Sequence, residues 1–347
     1  MFKNNFLFII IKNMYYKVSY NYNLEKKKLD FVSYIITAYN KRKYLQNVFQ
    51  ALAIEGGSHK REYIVVDDGS YDNTLIILKK FASKLPGKLI ILKRGNLGAS
   101  YSTNEAVMSA SGYWIRLLDG DDNVTYKSTS KMLYLAHRYK VNFVYGIISE
   151  NKSNINSMPF NHFKQSREEG LKKFIKNCPA NSSSILVSKK RYIMSGGCNE
   201  NFISPDQVLF LRLFSAGAAV FLNQVVAILP SNQSKDRLSS QIKRSRYESI
   251  LALINFCNEN PNLEKLFIKL AFKRALSRAN TYNKRLNNIY FSSHWFNYIL
   301  SKFLVPKYYK KLMYNALKVF SGNLYERPKA WKTRAEKICV SNNSIRK

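Results

Sequence analysis

The chain contains 347 residues, of which 46% are hydrophobic. It is therefore long and apolar enough for a large folded domain plus a smaller appendage, and wholesale disorder is excluded. Lys and Arg total 56 against 22 Asp and Glu, which gives a formal net charge of +34. Such a surface attracts anions, so the composition predicts a partner such as nucleic acid, a phosphorylated substrate or anionic lipid.

Residues 1–30 are expected to form an N-terminal extension. Their apolar run, Phe6 to Ile11, is too short to span a bilayer, which takes roughly 20 residues. No small-residue cleavage site follows it, so a short interfacial anchor or a start at Met14 is favoured over a signal peptide.

The four cysteines contain no C-x-x-C pair, which argues against a zinc site and favours a reducing, cytosolic compartment.

Strands and helices alternate from residue 31 to about 150. Apolar, β-branched strands are predicted at 32–38, 62–68, 88–93, 113–119 and 142–149, with helices between them. This alternation is typical of an α/β fold in which a mostly parallel sheet has helices on both faces. A helix at 204–217 and a strand at 219–229 follow, and the pattern is helical from 240 to about 320.

Polar residues follow the predicted strands, at the carboxyl ends where open α/β sheets bind ligands. After the fourth strand, Asp119, Asp121 and Asp122 place three carboxylates within four residues, and these repel one another unless a cation lies among them. Mg²⁺ or Mn²⁺ takes such oxygen ligands and shares them with substrate phosphates. The alternative is a polar turn, because Asp and Gly are turn-forming residues.

The second strand ends in Asp67 and Asp68. A carboxylate there can accept hydrogen bonds from a nucleobase N–H or from ribose hydroxyls. The alternative is again structural, namely a D-G-S turn in which Asp72 caps the following helix.

Taken together, the strand-end motifs are specific: I-T-A-Y-N, V-V-D-D-G-S-x-D-N-T, an N-x-G loop beginning at Asn96, and L-D-G-D-D. Because these motifs occur in this order and at suitable spacings, the chain resembles the family 2 glycosyltransferases. Those enzymes have the GT-A nucleotide-sugar-binding fold. The resemblance is clear over 31–150 and weaker to about 230. It implies that a nucleotide sugar contacts Thr37, Tyr39, Asp67, Asp68, Asn96 and Asp119. It also implies that Asp121 and Asp122 bind Mn²⁺ or Mg²⁺.

The family's catalytic base is matched by Asp206, at the start of the helix predicted over 204–217. The resemblance implies that it takes a proton from an acceptor hydroxyl, in a direct displacement that inverts the sugar's anomeric carbon. Pro205 departs from the family pattern, since a second carboxylate is common there. The alternative from local structure is that Ser204 caps the helix and Asp206 only complements its dipole. Arg94 and Arg212 are candidate diphosphate partners, or structural residues.

The region 231–347 is predicted to be a helical subdomain distinct from a catalytic domain over 31–230. Between residues 271 and 320 it has ten Lys and Arg, no Asp or Glu, and many aromatic residues, including Trp295 and Phe296. This mixture suits an anionic membrane surface or single-stranded nucleic acid. Alternatively, the aromatic residues pack on the catalytic core below a solvated basic face.

The resulting hypothesis is a metal-dependent inverting glycosyltransferase of bacterial surface polysaccharide synthesis. Its expected donor is a nucleotide sugar, with a UDP-sugar favoured, and its acceptor a glycan or lipid-linked sugar. We expect it to be peripheral on the inner face of the cytoplasmic membrane, without a nucleic-acid partner. An inactive relative with the same fold and a basic nucleic-acid-binding protein remain alternatives. An oxidoreductase is disfavoured because no G-x-G-x-x-G follows the first strand.

Overall fold

A mixed β-sheet runs through the centre of the molecule. The computed structural model describes residues 30–151, 160–230 and 241–320, and the backbone of 336–339. The expected extension over 1–30 therefore lies, except for Asp30, outside the described residues. The strands are β1 (Phe31–Ala38), β2 (Lys60–Asp67), β3 (Lys88–Lys93), β4 (Trp114–Asp119), β5 (Asn123–Val124), β6 (Phe143–Ser149), β7 (His162–Gln165), β8 (Ile185–Ser188), β9 (Ala219–Ile228) and β10 (Glu336–Cys339).

The strand order is β10-β3-β2-β1-β4-β8-β6-β9-β5, with β7 also paired to β9. Strands β3, β2, β1 and β4 run parallel, so their carboxyl ends meet at one edge of the sheet. Beyond β4 the sheet is mixed, because β8 runs antiparallel between β4 and β6. The parallel arrangement predicted from the sequence thus holds for the half that carries the acidic strand ends.

The helices are α1 (Arg42–Ile54), α2 (Thr74–Phe81), α3 (Ala99–Ser109), α4 (Ser128–Tyr139), α5 (Arg167–Lys176), α6 (Lys189–Met194), α7 (Asp206–Ser215), α8 (Ile242–Glu259), α9 (Lys265–Leu286), α10 (Ser293–Phe303) and α11 (Tyr309–Ala316). In α1 the four residues predicted to face inward, Leu45, Val48, Phe49 and Leu52, are all buried. The 3.6-residue period of apolar positions therefore identified the packed face correctly.

Two hydrophobic cores cover the two faces of the sheet, because successive strand residues point to opposite sides. Ile35 and Ile64 belong to the core under α3, α5, α7 and the C-terminal helices. Tyr34, Ile36 and Val65 belong to the core under α1, α2 and α4. The α/β architecture with helices on both faces is confirmed.

The C-terminal helices share the first of these cores. Phe267, Phe272 and Phe320 are buried in it together with Phe210 and Phe214 of α7. Strand β10 also returns to the sheet, where it pairs antiparallel with β3, a strand that the sequence pattern did not predict. The helical region is thus confirmed, and its apolar side is continuous with the core of the sheet.

Helix α10 differs from the other C-terminal helices. Ser301 is its only buried residue, and Phe291, just before it, is 82% exposed. Phe296 and Phe303 are also exposed, as are Arg285, Lys302 and Lys307. Trp295 is half-buried, with its ring centroid 5.5 Å from that of Phe291. No helix among the described residues is both long and apolar enough to cross a membrane.

Candidate functional site

Backbone hydrogen bonds join the loops at the carboxyl ends of β1, β2, β3 and β4. The Gly120 N–H donates to the Thr37 carbonyl (2.9 Å), and the Asp68 N–H to the Ala38 carbonyl (2.8 Å). A Cβ added at Gly120 would lie 2.7 Å from the Thr37 oxygen, so only glycine allows this approach. The four motifs that the sequence places after separate strands therefore form one continuous edge.

Asp67 and Asp68 organise the loops of this edge. The Asp67 carboxylate accepts from the Ser70 N–H (3.0 Å), which closes the turn after β2. The buried Asp68 carboxylate accepts from the N–H groups of Leu97 (2.9 Å) and Gly98 (2.7 Å) in the loop after β3. Burial raises the pKa of Asp68, whereas these two hydrogen bonds lower it. Sequence reasoning proposed a nucleotide contact for Asp68 and did not foresee that it holds the neighbouring loop.

Tyr39 and Tyr71 form an aromatic pair above these loops. Tyr39 is 42% exposed and Tyr71 81%, and their rings meet edge to face at a centroid distance of 6.3 Å. Asn40 links the two loops, because its Oδ1 accepts from the Tyr71 N–H (3.0 Å). Exposed aromatic faces of this kind suit stacking of a nucleobase. Tyr71 was missed in the sequence, although it stands within the D-D-G-S-x-D motif.

The Asp72 carboxylate accepts hydrogen bonds from the first residues of two helices. Its Oδ2 accepts from the Arg42 N–H of α1 (2.9 Å), and its Oδ1 accepts from the Thr74 N–H of α2 (3.1 Å). The residue at the N-cap position of α1 is Lys41, and Asn40 before it has a φ of 53°. The N-cap of α2 is Asn73, so the predicted cap at Asp72 is wrong in position, and Asp72 instead accepts from the first N–H of α2 and the first N–H of α1.

The acidic loop, defined as Asp119, Asp121 and Asp122, lies at the end of β4. Asp121 Oδ2 is 2.5 Å from the Nζ of Lys41. Asp122 is buried, and its Oδ2 accepts from the Asn181 side chain (3.4 Å). Burial raises the pKa of Asp119 well above its usual value, and the charges of Asp122, Asp121 and Asp206 raise it further. Negative charge is thus concentrated where a cation would relieve the repulsion.

A fully buried arginine lies beneath this loop. Arg116 of β4 is 0% exposed and donates to the carbonyls of Ser183 (2.5 Å), Ile185 (3.1 Å) and Val226 (3.1 Å). These contacts join β4 to the segment before β8 and to β9. Burial lowers the pKa of Arg116, while neighbouring carboxylates, including Asp122, raise it. The guanidinium therefore fixes the backbone that carries the acidic loop.

Asp206 lies next to the acidic loop, across a serine that the sequence analysis missed. The Ser182 N–H donates to Asp206 Oδ1 (2.8 Å), and the Ser182 hydroxyl donates to Asp119 Oδ1 (3.2 Å). Ser182 thus bridges two carboxylates that are 87 positions apart in the sequence. The only signal there was the S-S-S run at 182–184.

The start of α7 differs from its predicted form. The N-cap is Pro205, Asp206 is the first helical residue, and no side chain caps the helix. The Ser204 hydroxyl instead donates to Asp206 Oδ2 (3.2 Å), so the expected Ser204 cap is wrong. Burial raises the pKa of Asp206, and the hydrogen bonds from Ser182 and Ser204 lower it.

The C-terminal helices hold the loop that precedes Asp206. Buried Glu248 of α8 accepts from the N–H groups of Ile203 (3.0 Å) and Ser204 (3.1 Å). Its carboxylate also pairs with Arg244 one turn earlier (2.7 Å). Sequence reasoning did not identify Glu248, because its partners are backbone groups 44 and 45 positions away.

The two arginines considered as diphosphate partners have other contacts. Arg94 pairs with Glu105, and its guanidinium lies 4.1 Å from the ring centroid of Tyr101. Arg212 donates to Glu259 (2.9 Å) and to the Gly196 carbonyl (2.8 Å). Both therefore have structural contacts, while Arg94 also lies 3.7 Å from the Asp68 carboxylate, and a role of either arginine toward the diphosphate stays a prediction.

The acidic loop fits a divalent cation that is only partly bound by protein. Among the described residues, no three His, Cys, Asp or Glu side chains converge as a complete metal cage. Mg²⁺ and similar ions are commonly held by one or two carboxylates, with water and substrate phosphates completing the shell. The charge of Asp119, Asp121 and Asp122 suits that mode.

The family model of glycosyl transferase family 2 matches residues 33–197. This part of the chain belongs to glycosyltransferase family 2. The cholesterol galactosyltransferase of Borreliella burgdorferi is 24% identical over 262 residues, which cover 68% of this chain and 72% of the relative. The poly(ribitol-phosphate) β-N-acetylglucosaminyltransferase TarS of Staphylococcus aureus is 34% identical over 100 residues, 28% of this chain and 17% of TarS.

Solved structures show the same fold. TarS residues 1–349 with UDP-GlcNAc match with a TM-score of 0.61 at 17% identity, over 84% of this chain and 89% of that one. The mannosyltransferase PcManGT of Pyrobaculum calidifontis, with GDP-Man and Mn²⁺, matches with a TM-score of 0.50 at 13% identity, over 83% and 85%. The fold is therefore of the GT-A type, as the sequence resemblance implied.

Proposed function

We propose that the protein transfers a sugar from a nucleotide-sugar donor to a hydroxyl of a glycan or lipid-linked acceptor, with inversion. The observation that carries the proposal is the bridge at Ser182, which holds Asp206 beside the acidic loop. A base that takes the acceptor's proton must lie close to the centre where the nucleoside diphosphate departs. Removal of the acceptor's proton and departure of the nucleoside diphosphate would then both take place at one edge of the sheet.

Asp206 serves as the general base in this proposal. Its raised pKa moves it toward the range in which a carboxylate accepts a proton effectively. The acceptor oxygen attacks the anomeric carbon as Asp206 takes its proton, and the C–O bond to the diphosphate breaks. With one base and no second carboxylate assigned as a nucleophile, direct displacement and inversion follow. Pro205, which replaces the family's second carboxylate, leaves this role to Asp206 alone.

The donor nucleotide is assigned to the aromatic pair and the loops below it. Tyr39 and Tyr71 offer ring faces to the base, while Thr37, Asp67, Asp68 and Asn96 surround it at the ends of β1, β2 and β3. A UDP-sugar is the favoured donor, and the fold neighbour TarS was solved with UDP-GlcNAc.

Asp119, Asp121 and Asp122 are proposed to hold Mn²⁺ or Mg²⁺ together with the diphosphate. A divalent cation there neutralises charge that grows on the leaving group. The neighbour PcManGT was solved with GDP-Man and Mn²⁺, which supports the same use of the fold.

We further infer that the enzyme acts at the inner face of the cytoplasmic membrane in surface polysaccharide synthesis. The support is the exposed surface around α10, defined here as Phe291, Phe296, Phe303 and the basic residues Arg285, Lys302 and Lys307. Aromatic side chains beside cations, without acids, are typical of surfaces that lie on anionic bilayers. The alternative of aromatic packing on the core applies to other residues, such as Phe272 and Phe320.

The deciding experiment compares wild type with Asp206→Asn. Asn keeps the size of the side chain but cannot take a proton. We expect sugar transfer from a panel of UDP- and GDP-sugars with Mn²⁺ to fall by about 10²–10⁴, with donor affinity unchanged. Glu168→Gln, on the exposed start of α5, is the matched control. A fall of only a few-fold would mean that Asp206 complements the dipole of α7 and is not the base. Wild-type protein that binds no nucleotide sugar would favour the inactive-relative alternative.

A further inference from the structure

Three arginines lie together where α8 and α9 meet the loop after α5. Arg274 and Arg278 are one turn apart on α9, and Arg246 is one turn before Ser249 on α8. The Arg278 guanidinium donates to the Ser249 carbonyl (2.5 Å), which brings the two helix faces together. Arg246, Arg274 and Arg278 are called the arginine cluster below.

The positive charge of the cluster has no partner of opposite sign within the described ranges. Arg274 donates to the Asn177 side chain (2.8 Å), and Arg278 donates to that of Gln207 (3.0 Å), both of which are neutral. No carboxylate of these ranges lies within ion-pair distance of the three guanidinium groups. The Nε of Arg274 is buried without a hydrogen-bond partner. An anion bound at the open side of the cluster would neutralise this charge.

The three charges also act on one another. Burial, followed by the charge of Arg274 and then that of Arg246, lowers the pKa of Arg278 to about 9. Burial and the charge of Arg246 lower the pKa of Arg274. Like charges held together in this way repel, and the repulsion is relieved when a negative group lies between them.

The cluster is adjacent to the proposed base. Gln207, which Arg278 contacts, is the residue after Asp206, and Asn177, which Arg274 contacts, begins the loop that leads to Ser182. Arg246 is exposed and Arg274 is half-buried, so the site opens to solvent. A group bound there would lie near the start of α7, the helix that carries Asp206, on the side of the C-terminal helices.

We propose that the arginine cluster binds a phosphate or diphosphate group of the acceptor. Guanidinium groups bind phosphate oxygens through two parallel N–H donors, which fixes orientation as well as charge. The anchored phosphate positions the acceptor while Asp206 takes the proton of its hydroxyl. The proposal rests on the glycosyl transfer proposed above, and it assigns the acceptor to a phosphate-bearing class.

The test measures binding of geranyl diphosphate by calorimetry, with UDP present to fill the donor edge and geraniol as the ligand that lacks phosphate. The variant is Arg246→Gln/Arg274→Gln, which keeps hydrogen-bonding capacity and spares the more buried Arg278. The matched control is Lys269→Gln/Lys273→Gln, which removes the same charge from exposed positions of α9. We expect a loss of affinity of about tenfold or more in the arginine variant only.

Three outcomes would overturn the proposal. The first is equal affinity in the arginine and lysine variants, and the second is equal binding of geraniol and geranyl diphosphate by wild type. The third is that the arginine variant loses binding to phosphatidylglycerol vesicles but still binds geranyl diphosphate. That result would assign the cluster to lipid headgroups. If the double variant fails to fold, the measurement is repeated with the single variant Arg246→Glu, whose position is exposed.

Failure of the proposed function would look different. UDP affinity is measured separately for every variant, and we expect it to be unchanged by the arginine substitutions. If wild type binds geranyl diphosphate through the arginines but binds no UDP, the phosphate site stands and the glycosyl-transfer proposal falls.

Discussion

The two halves of the candidate site are built in opposite ways. On the side of β1 to β4, short motifs directly after parallel strands bring carboxylates and aromatic rings to one edge. On the side of α7 to α9, Asp206, Ser182, Glu248 and the arginine cluster come from segments far apart in sequence. The first half is acidic within a basic chain, whereas residues 271–320 contain ten basic residues and no acid. Site residues that follow parallel strands therefore lie in short sequence motifs. Site residues on the packed helices come from positions that are distant in the sequence.

The largest expected effect lies in the acidic half. Asp121→Asn removes a carboxylate from the proposed cation site and leaves Lys41 without its ion-pair partner. We expect Mn²⁺-dependent transfer to fall on the order of 10²–10³, because a metal contributes several kcal/mol at the leaving group. Direct titration with Mn²⁺ and UDP, followed by electron paramagnetic resonance, checks the binding step. Normal metal dependence would show that the acidic loop is only a turn.

The roles of Asp68 and Tyr71 can be separated. Asp68→Ala leaves the Leu97 and Gly98 N–H groups unpaired, so we expect both a loss of about 1–3 kcal/mol in the free energy of unfolding and weaker UDP binding. Tyr71→Ala removes an exposed ring, and we expect roughly tenfold weaker UDP binding with little change in stability. Urea unfolding and calorimetry measure the two quantities. Unchanged UDP affinity in both variants would exclude this edge as the nucleotide site.

In the helical half, Glu248→Gln tests whether the C-terminal helices support the base. The substitution weakens two hydrogen bonds to the loop before Asp206 and the pair with Arg244. We expect a loss of about 1–3 kcal/mol of stability and lower transfer, with UDP affinity retained. Glu259→Gln, also on α8, is the control. If Glu259→Gln lowered transfer as much as Glu248→Gln, the loss could not be assigned to the hydrogen bonds that Glu248 makes with the loop before Asp206.

The surface around α10 is expected to give salt-sensitive membrane binding. Each basic residue near an anionic leaflet contributes about 1 kcal/mol, within roughly one Debye length. Phe291→Ser/Phe303→Ser should reduce co-sedimentation with phosphatidylglycerol vesicles at low salt, and Tyr126→Ser, an exposed aromatic residue in the other half, should not. Equal binding to neutral and anionic vesicles would contradict the prediction.

The smallest expected effect is on the pH profile. In the proposed mechanism the base must be ionised, so we expect activity to fall as the pH decreases through the raised pKa of Asp206, above the usual value of about 3.9 for Asp. The Ser204 hydroxyl lowers this pKa, so Ser204→Ala should move the acid limb of kcat to higher pH. An unmoved limb would mean that another group controls it.

The sequence by itself determined the first half of the protein. Strand and helix positions, the inward face of α1 and the meeting of the motifs at one edge follow from apolar periodicity and from the parallel arrangement of strands. Asp119, Asp121 and Asp122 could be named because their motif is local, and Asp206 could be named because its stretch resembles that of the family's catalytic base. Their roles in binding and catalysis stay predictions until the experiments above are done.

Only the tertiary structure decided the rest. The antiparallel insertion of β8, the return of β10, the Ser182 bridge and the support from Glu248 all join positions that are distant in the chain. Side chains of this kind satisfy backbone N–H groups or the charges of residues that become neighbours only after packing, so no local pattern marks them. The same holds for the arginine cluster, where the shared face of α8 and α9 brings together charges that the sequence shows only as a basic region.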